Sequence, residues 1–236
     1  MKYLVLFLLI GGMGLSIPAH AVLSSADIQG AYLKSYDAEK KGKLDDAVKA
    51  LESVTKDYPN GYTLNLRLAY LNYKNKKHPA ALENYDKANQ ALPYSLDPKL
   101  GKMVVLGTQE RYADVEAVGY QVLNLDYLNY SGNLRLAYAL RMQKKYDIAE
   151  KVALKMLSLY PVDISFLTEY GILLYLKDLQ KSKNVFQDIL ILDPNNTAAK
   201  DYIKLIDKLL TPSSSAAVPV AKPAEATSAF SGKIKK

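Results

Sequence analysis

Two arginines share one hexapeptide, Asn-Leu-Arg-Leu-Ala-Tyr, which occurs at residues 65–70 and again at 133–138. Each guanidinium, at Arg67 and Arg135, is a planar fork that can hold a carboxylate through two parallel hydrogen bonds. Other reactive groups are scarce. The chain has no cysteine, which excludes thiol nucleophiles, thiolate metal sites, disulfides and lipid attachment to cysteine. Of its two histidines, His20 falls in a leader-like segment and His78 stands before Pro79, where it reads as a solvated turn residue. One histidine cannot build a zinc site, and no His-x-x-x-His or Glu-x-x-His spacing occurs. Asp45, Asp46 and Asp86 read as acids on helix surfaces. Beyond residue 21 there is no dinucleotide-binding glycine motif, phosphate loop or nucleophile elbow. Nothing singles out a pair of carboxylates for hydrolysis. The expectation is recognition without catalysis, metal or cofactor.

Charge narrows what is recognised. The formal net charge is +7, but Lys2 belongs to the leader-like segment. Lys222, Lys233, Lys235 and Lys236 against Glu225 place +3 in residues 211–236. The roughly +3 that remains, spread over some 190 residues, is too diffuse for a phosphate-tracking stripe, so no nucleic acid is expected. With 49% hydrophobic and 23% charged residues the chain can bury an ordinary core. Residues 1–21 differ: Lys2 precedes an uncharged run from Tyr3 to Ile17, then Pro18 and Ala19-His20-Ala21. A positive start, an apolar segment and small residues before a cut read as a secretory signal peptide, with Val22 as the first mature residue. The run is shorter than the ~20 residues of a membrane span, and an uncleaved N-terminal anchor is the alternative. The lack of cysteine suits an oxidising compartment. A periplasmic location is expected, with secretion as the other possibility, and membrane contact only indirect.

The elements that must position the arginines are set by a period. Prolines at 59, 93, 161 and 194 are separated by 34, 68 and 33 residues, and the hexapeptide recurs after two such periods. Small residues recur with them: Ala47, Ala81 and Ala149 stand in corresponding places, with Leu51, Tyr85 and Ala153 four residues later. Over residues 24–210 the chain resembles the tetratricopeptide repeat family, whose unit has a Leu-Gly pair and a tyrosine in its first helix, an Ala-x-x-x-Phe second helix and a closing proline. Leu68-Ala69 and Leu136-Ala137 stand for the Leu-Gly pair, and Gly171 for its glycine. The resemblance implies an all-α fold, an α-solenoid of about five helix-turn-helix repeats at about 28–61, 62–95, 96–129, 130–162 and 163–195. A capping helix over 196–210, carrying Ala199, Tyr202, Ile203, Ile206, Leu209 and Leu210 at helical spacing, would cover the last repeat. The solenoid thus occupies residues 22–210. The third repeat departs most, with Val115 for alanine, Gly119 for a bulky residue and Tyr127 for proline. Gly101 and Gly107 weaken its first helix, so a bend or softer joint is expected there. The fifth repeat is one residue short, in the turn around Lys177 to Lys181. Residues 211–236, rich in Pro, Ser, Ala and Lys, lack apolar periodicity and read as a disordered tail.

In that family the first helix of each repeat lines a concave groove that holds peptide segments. Carried over position by position, the groove would present Tyr32, Tyr36, Leu66, Arg67, Tyr70, Tyr73, Lys74, Leu134, Arg135, Tyr138, Arg141 and Tyr175. Tyrosine and arginine suit binding hot spots, although tyrosine also packs between helices and repeat ancestry accounts for the paired hexapeptide. The lysine-asparagine pair by which some of these repeats clamp chaperone C-termini is replaced by Tyr32 and Tyr36 in the first repeat. The expected function is a periplasmic scaffold or adaptor that binds a peptide segment or protein subunit for an envelope assembly or secretion complex. Self-assembly into a homo-oligomer and service as a polysaccharide-export accessory protein are the alternatives.

Overall fold

Ser24 starts the first helix: its hydroxyl accepts a hydrogen bond from the Asp27 amide while the Asp27 carboxylate accepts one from the Ser24 amide, which satisfies two donors that a helix start leaves open. The computed structural model describes residues 23–211; the leader segment and the stretch from residue 212 onward lie outside the described residues. All twelve elements within them are helices. They run α1 (Ser25–Lys40), α2 (Leu44–Lys49), α3 (Glu52–Asp57), α4 (Tyr62–Lys74), α5 (His78–Ala91) and α6 (Asp97–Thr108). Then follow α7 (Tyr112–Leu125), α8 (Tyr130–Met142), α9 (Tyr146–Leu157), α10 (Ile164–Tyr175), α11 (Leu179–Leu192) and α12 (Thr197–Leu210). The second helix of the first hairpin is split, because the Leu51 amide turns back to the Val48 carbonyl, at 3.0 Å, between α2 and α3.

Each hairpin closes through a turn set by one backbone angle. Gly42, Lys76, Glu110 and Lys144 lie 34 residues apart and all adopt positive φ, between 57° and 73°. Only the first is a glycine, so only the first carried a sequence signature for that turn. Asp178 takes the corresponding place in the fifth hairpin with extended backbone, and its side chain caps α11 at the Lys181 amide instead. Across the second hairpin small residues lie together: Ala69 and Ala81 share a buried cluster with Tyr85 and Val105. Second helices end in extended backbone at Leu92, Asp126 and Asp193 alike. Two of these precede a proline, which forbids helical geometry in the residue before it. Asp126 reaches the same conformation before Tyr127, with Asn129 Nδ2 bonded to its carboxylate at 3.0 Å.

The hexapeptide's asparagine has a structural task. Asn65 Nδ2 donates to the Pro59 and Gly61 carbonyls, and Asn133 Nδ2 to those of Tyr127 and Asn129. Lys99, at the same repeat position, reaches back to the Pro93 and Ser95 carbonyls. The second, third and fourth repeats are each thereby tied to the loop before them. Repeat three is not loosely packed. Met103, Leu106, Val115, Val118 and Val122 belong to one cluster with Leu134, Tyr138, Met156 and Phe166. Its glycines allow close approach: a Cβ on Gly101 would lie 2.3 Å from the Tyr85 ring, and one on Gly119 would lie 3.2 Å from Met103. At the far end α12 covers the fifth hairpin, with Tyr202 stacked on Phe186 at 4.6 Å and Ala199 and Ile206 fully buried. No described helix is long and apolar enough to cross a membrane.

Candidate functional site

First helices of successive hairpins touch one another, α4 against α6, α6 against α8 and α8 against α10, and so form one layer. The twelve expected groove residues sit on α1, α4, α8 and α10 of this layer, but they divide by burial. Tyr32, Tyr36, Leu66, Tyr70 and Tyr73 are half-buried and Lys74 is exposed. Arg67, Leu134, Arg135, Tyr138, Arg141 and Tyr175 are buried. Leu134, Tyr138 and Tyr175 belong to the packed clusters, where their area stabilises the stack rather than awaiting a partner.

Arg67 is already engaged. Its Nη1 lies 2.5 Å from Glu39 Oε2 on α1, and its Nη2 bonds Ser35 Oγ at 3.3 Å. Tyr70 Oη and Lys74 Nζ donate to the other Glu39 oxygen at 3.1 and 3.0 Å. The Arg67 guanidinium also lies over the Tyr36 ring, 4.1 Å from its centre. Burial pushes the Glu39 carboxyl up, but the hydrogen bonds from Arg67, Lys74 and Tyr70 outweigh it and hold it at about 2. The expectation that Arg67 receives an incoming carboxylate is therefore corrected: Glu39 fills the fork from within the chain. Glu39 had no signal in the sequence, since it sits beside Lys40 and Lys41 in what reads as an exposed helix end.

A second buried pair mirrors the first. Arg141 Nε and Nη2 bond the two oxygens of Glu169 at 2.7 and 3.2 Å, the two-point geometry a guanidinium favours. Burial works against the Arg141 charge, but the neighbouring Glu169 carboxylate more than compensates, and the Arg141 pKa is raised. Both pairs join a residue late in one first helix to a residue near the middle of the next, 28 positions on. The polarity is reversed between them, acid to arginine at the first junction and arginine to acid at the fourth.

Arg135 has no such partner. It is 6% exposed, and its Nε and Nη1 are buried without a hydrogen bond. Burial lowers its pKa to about 10, with the Tyr73 and Tyr85 hydroxyls acting the other way. Tyr85 extends from α5 to lie against Gly101 of α6, and its own hydroxyl is buried and unpartnered. Sequence reasoning placed Tyr85 only in the repeating pattern, four residues after Ala81. Its neighbourhood to Arg135 could have been found by noting that the large ring needs the space Gly101 leaves.

Of the remaining chemistry-bearing residues, His78 keeps a buried Nδ1 without a hydrogen bond and two acids are paired with lysines. His78 is the first residue of α5, half-buried, with its ring 6.2 Å from Tyr73. Asp45 binds Lys77 and Asp86 binds Lys102, each at 2.6 Å. Among the described residues no three of His, Cys, Asp and Glu cluster as metal ligands would.

Residues 32–95 match the model of the family described as tetratricopeptide repeat. No curated protein matches the chain. Among solved structures, a tetratricopeptide repeat protein from Parabacteroides merdae is similar at 15% identity and TM-score 0.72, over 78% of this chain and 73% of that one. MamA from Desulfovibrio magneticus, from its residue 41 onward, is similar at 15% identity and TM-score 0.67, over 75% of this chain and 99% of that one. YrrB, described as a TPR protein with an unusual peptide-binding site, is similar at 14% identity and TM-score 0.65, over 77% and 92%. Similarities at this identity establish the shared helical-repeat fold.

Proposed function

From the premise that the chain is a tetratricopeptide-repeat protein, we propose that it is a non-catalytic scaffold whose inner layer of first helices binds a polypeptide segment of a partner protein. The observation that carries this reading is the row of half-buried rings, Tyr32, Tyr36, Tyr70 and Tyr73, beside exposed Lys74 on α1 and α4. Such rings present a flat apolar area and a polar tip at little entropic cost, which suits an extended peptide. The peptide-binding site named for YrrB supports it by analogy of fold. The acids best placed to do chemistry, Glu39 and Glu169, are committed to buried arginines, which supports binding over turnover.

The setting we propose is the periplasm, within an envelope assembly or secretion complex, on the strength of the leader-like residues 1–21. Fractionation of cells expressing the full chain should place it in the periplasmic fraction with Val22 at its N-terminus; a cytoplasmic protein that keeps Met1 would contradict the setting and leave the groove intact. For the groove, a photocrosslinking residue at position 36 or 73 should capture one discrete polypeptide in cells. The same residue at position 94, on a loop where Tyr94 is 85% exposed, should not. Capture only at position 94 would move the binding surface elsewhere.

A further inference from the structure

We propose that a cleft between the first and second repeats, outside the first-helix groove, binds an uncharged ligand through an amide group carried on a small aliphatic body, and that Asn72 is the residue that recognises the amide.

The cleft encloses about 460 Å³ between the split helix formed by α2 and α3, the first helix α4 and the second helix α5, and none of the twelve groove residues lines it. Volumes of this order hold small ligands. Asn72 and Asn84 face the cleft, and the repeat register shows what they replace. At a spacing of 34 residues Leu106 and Val118 stand in their places, and after a further 34 Leu140 and Val152. The shortened fifth repeat has Leu174 and Val185 there. Leu106 packs in one buried cluster with Val118, and Leu140 in another with Val152. The first junction thus carries two amides where the later ones carry an aliphatic pair. Asn72 is only 7% exposed, and its side chain has no hydrogen-bond partner among the described residues. A buried amide left in that state is costly, and a ligand that answers its donors and its acceptor together recovers the cost on binding.

The surroundings specify the class of ligand. Val48 and Leu68 give the cleft apolar walls. The Thr55 hydroxyl is turned to the Leu51 carbonyl and Asn84 Nδ2 to the Ala80 carbonyl, which leaves Asn84 Oδ1 as a further acceptor. Carboxamide oxygens disfavour a carboxylate at the buried end, and the lining lysines, Lys49 and Lys56, are both exposed. The lining acids already face lysines, Asp45 at 2.6 Å from Lys77 and Glu52 at 3.8 Å from Lys56. A neutral group that donates and accepts at one point is what remains to be matched.

The test titrates wild-type protein labelled with nitrogen-15 and follows the Asn72 side-chain amide resonances. The probes are isovaleramide, acetylvaline N-methylamide, and isovalerate as the charged isostere of the first. A saturable shift with at least one amide and a much weaker one or none with isovalerate is expected. Response to isovaleramide alone indicates a primary amide as the natural group, and response to acetylvaline N-methylamide alone a polypeptide backbone. The double variant Asn72→Leu with Asn84→Val gives this junction the residues of the later ones. Read at the Thr55 backbone amide, it should bind the responding probe roughly tenfold or more weakly, as expected for loss of a buried hydrogen-bonding group, while melting no lower than wild type. No shift with either amide, an equal shift with isovalerate, or a folded double variant that binds as wild type does overturns the site. Should the variant fail to fold, the wild-type titration decides alone.

Discussion

Glu39 shows how far one residue can lie from the signal that would reveal it. Its carboxylate binds Arg67, Lys74 and Tyr70 of the next repeat, and removing one member of a buried pair leaves the other charge uncompensated. Glu39→Gln should therefore cost about 3–5 kcal/mol in urea unfolding at neutral pH. The folded pKa is depressed from 4.5 to about 2. The stabilisation is thus complete above the unfolded value and is lost as pH falls through the folded one. The gap between wild type and Glu39→Gln should narrow from about pH 4.5 toward about pH 2; a gap independent of pH would mean that the pair is not what holds α1 to α4. Arg135 predicts the opposite. With no anion beside it, Arg135→Met, which keeps the aliphatic stem, should leave the unfolding midpoint unchanged or raised, whereas a large loss would reveal an internal partner. Both arginines were legible in the hexapeptide. Their different fates were not, because these depend on whether position 28 earlier holds an acid or a glycine, a comparison that needs the helices to be stacked.

At the scale of elements, glycine has opposite effects in different helices. Gly101 was read as a weakness of α6, yet Tyr85 occupies the space its missing side chain leaves. Gly101→Ala should cost about 1–3 kcal/mol through overpacking despite alanine's better helix propensity. Gly30 lies within α1 with nothing inside 4 Å of an added Cβ, so Gly30→Ala should gain about 0.5–1 kcal/mol. Thermal unfolding of the two variants checks both signs, and a stabilised Gly101→Ala would mean that Tyr85 packs elsewhere. The helices and the closing role of proline were readable from period and composition, since these act locally. The turns at Lys76, Glu110 and Lys144 were not, because tertiary packing forces residues without a turn signature into a conformation that glycine shows openly.

For the whole molecule, the repeat fold was legible because self-similarity survives where individual motif positions fail, as at Tyr127. The inner surface was legible only in outline: half of the expected groove residues are buried, and the family pattern marks which helix faces inward without saying which side chains packing consumes. An open-ended stack also has to cover its last face. Deleting residues from 196 onward would expose Phe186, Ile189, Ile172 and Tyr175, and the shortened protein should melt lower and associate on size-exclusion chromatography. A monomer of unchanged stability would show that α12 is dispensable as a cap. The claim that most needs testing concerns the groove. Once crosslinking has identified the partner, its affinity should be measured calorimetrically for wild type, the double variant Tyr36→Ala with Tyr73→Ala, and Tyr94→Ala. The double variant is predicted to bind roughly ten- to a hundredfold more weakly, in the range of hot-spot truncations, with Tyr94→Ala equal to wild type; equal affinity for all three would contradict the inner layer as the binding surface.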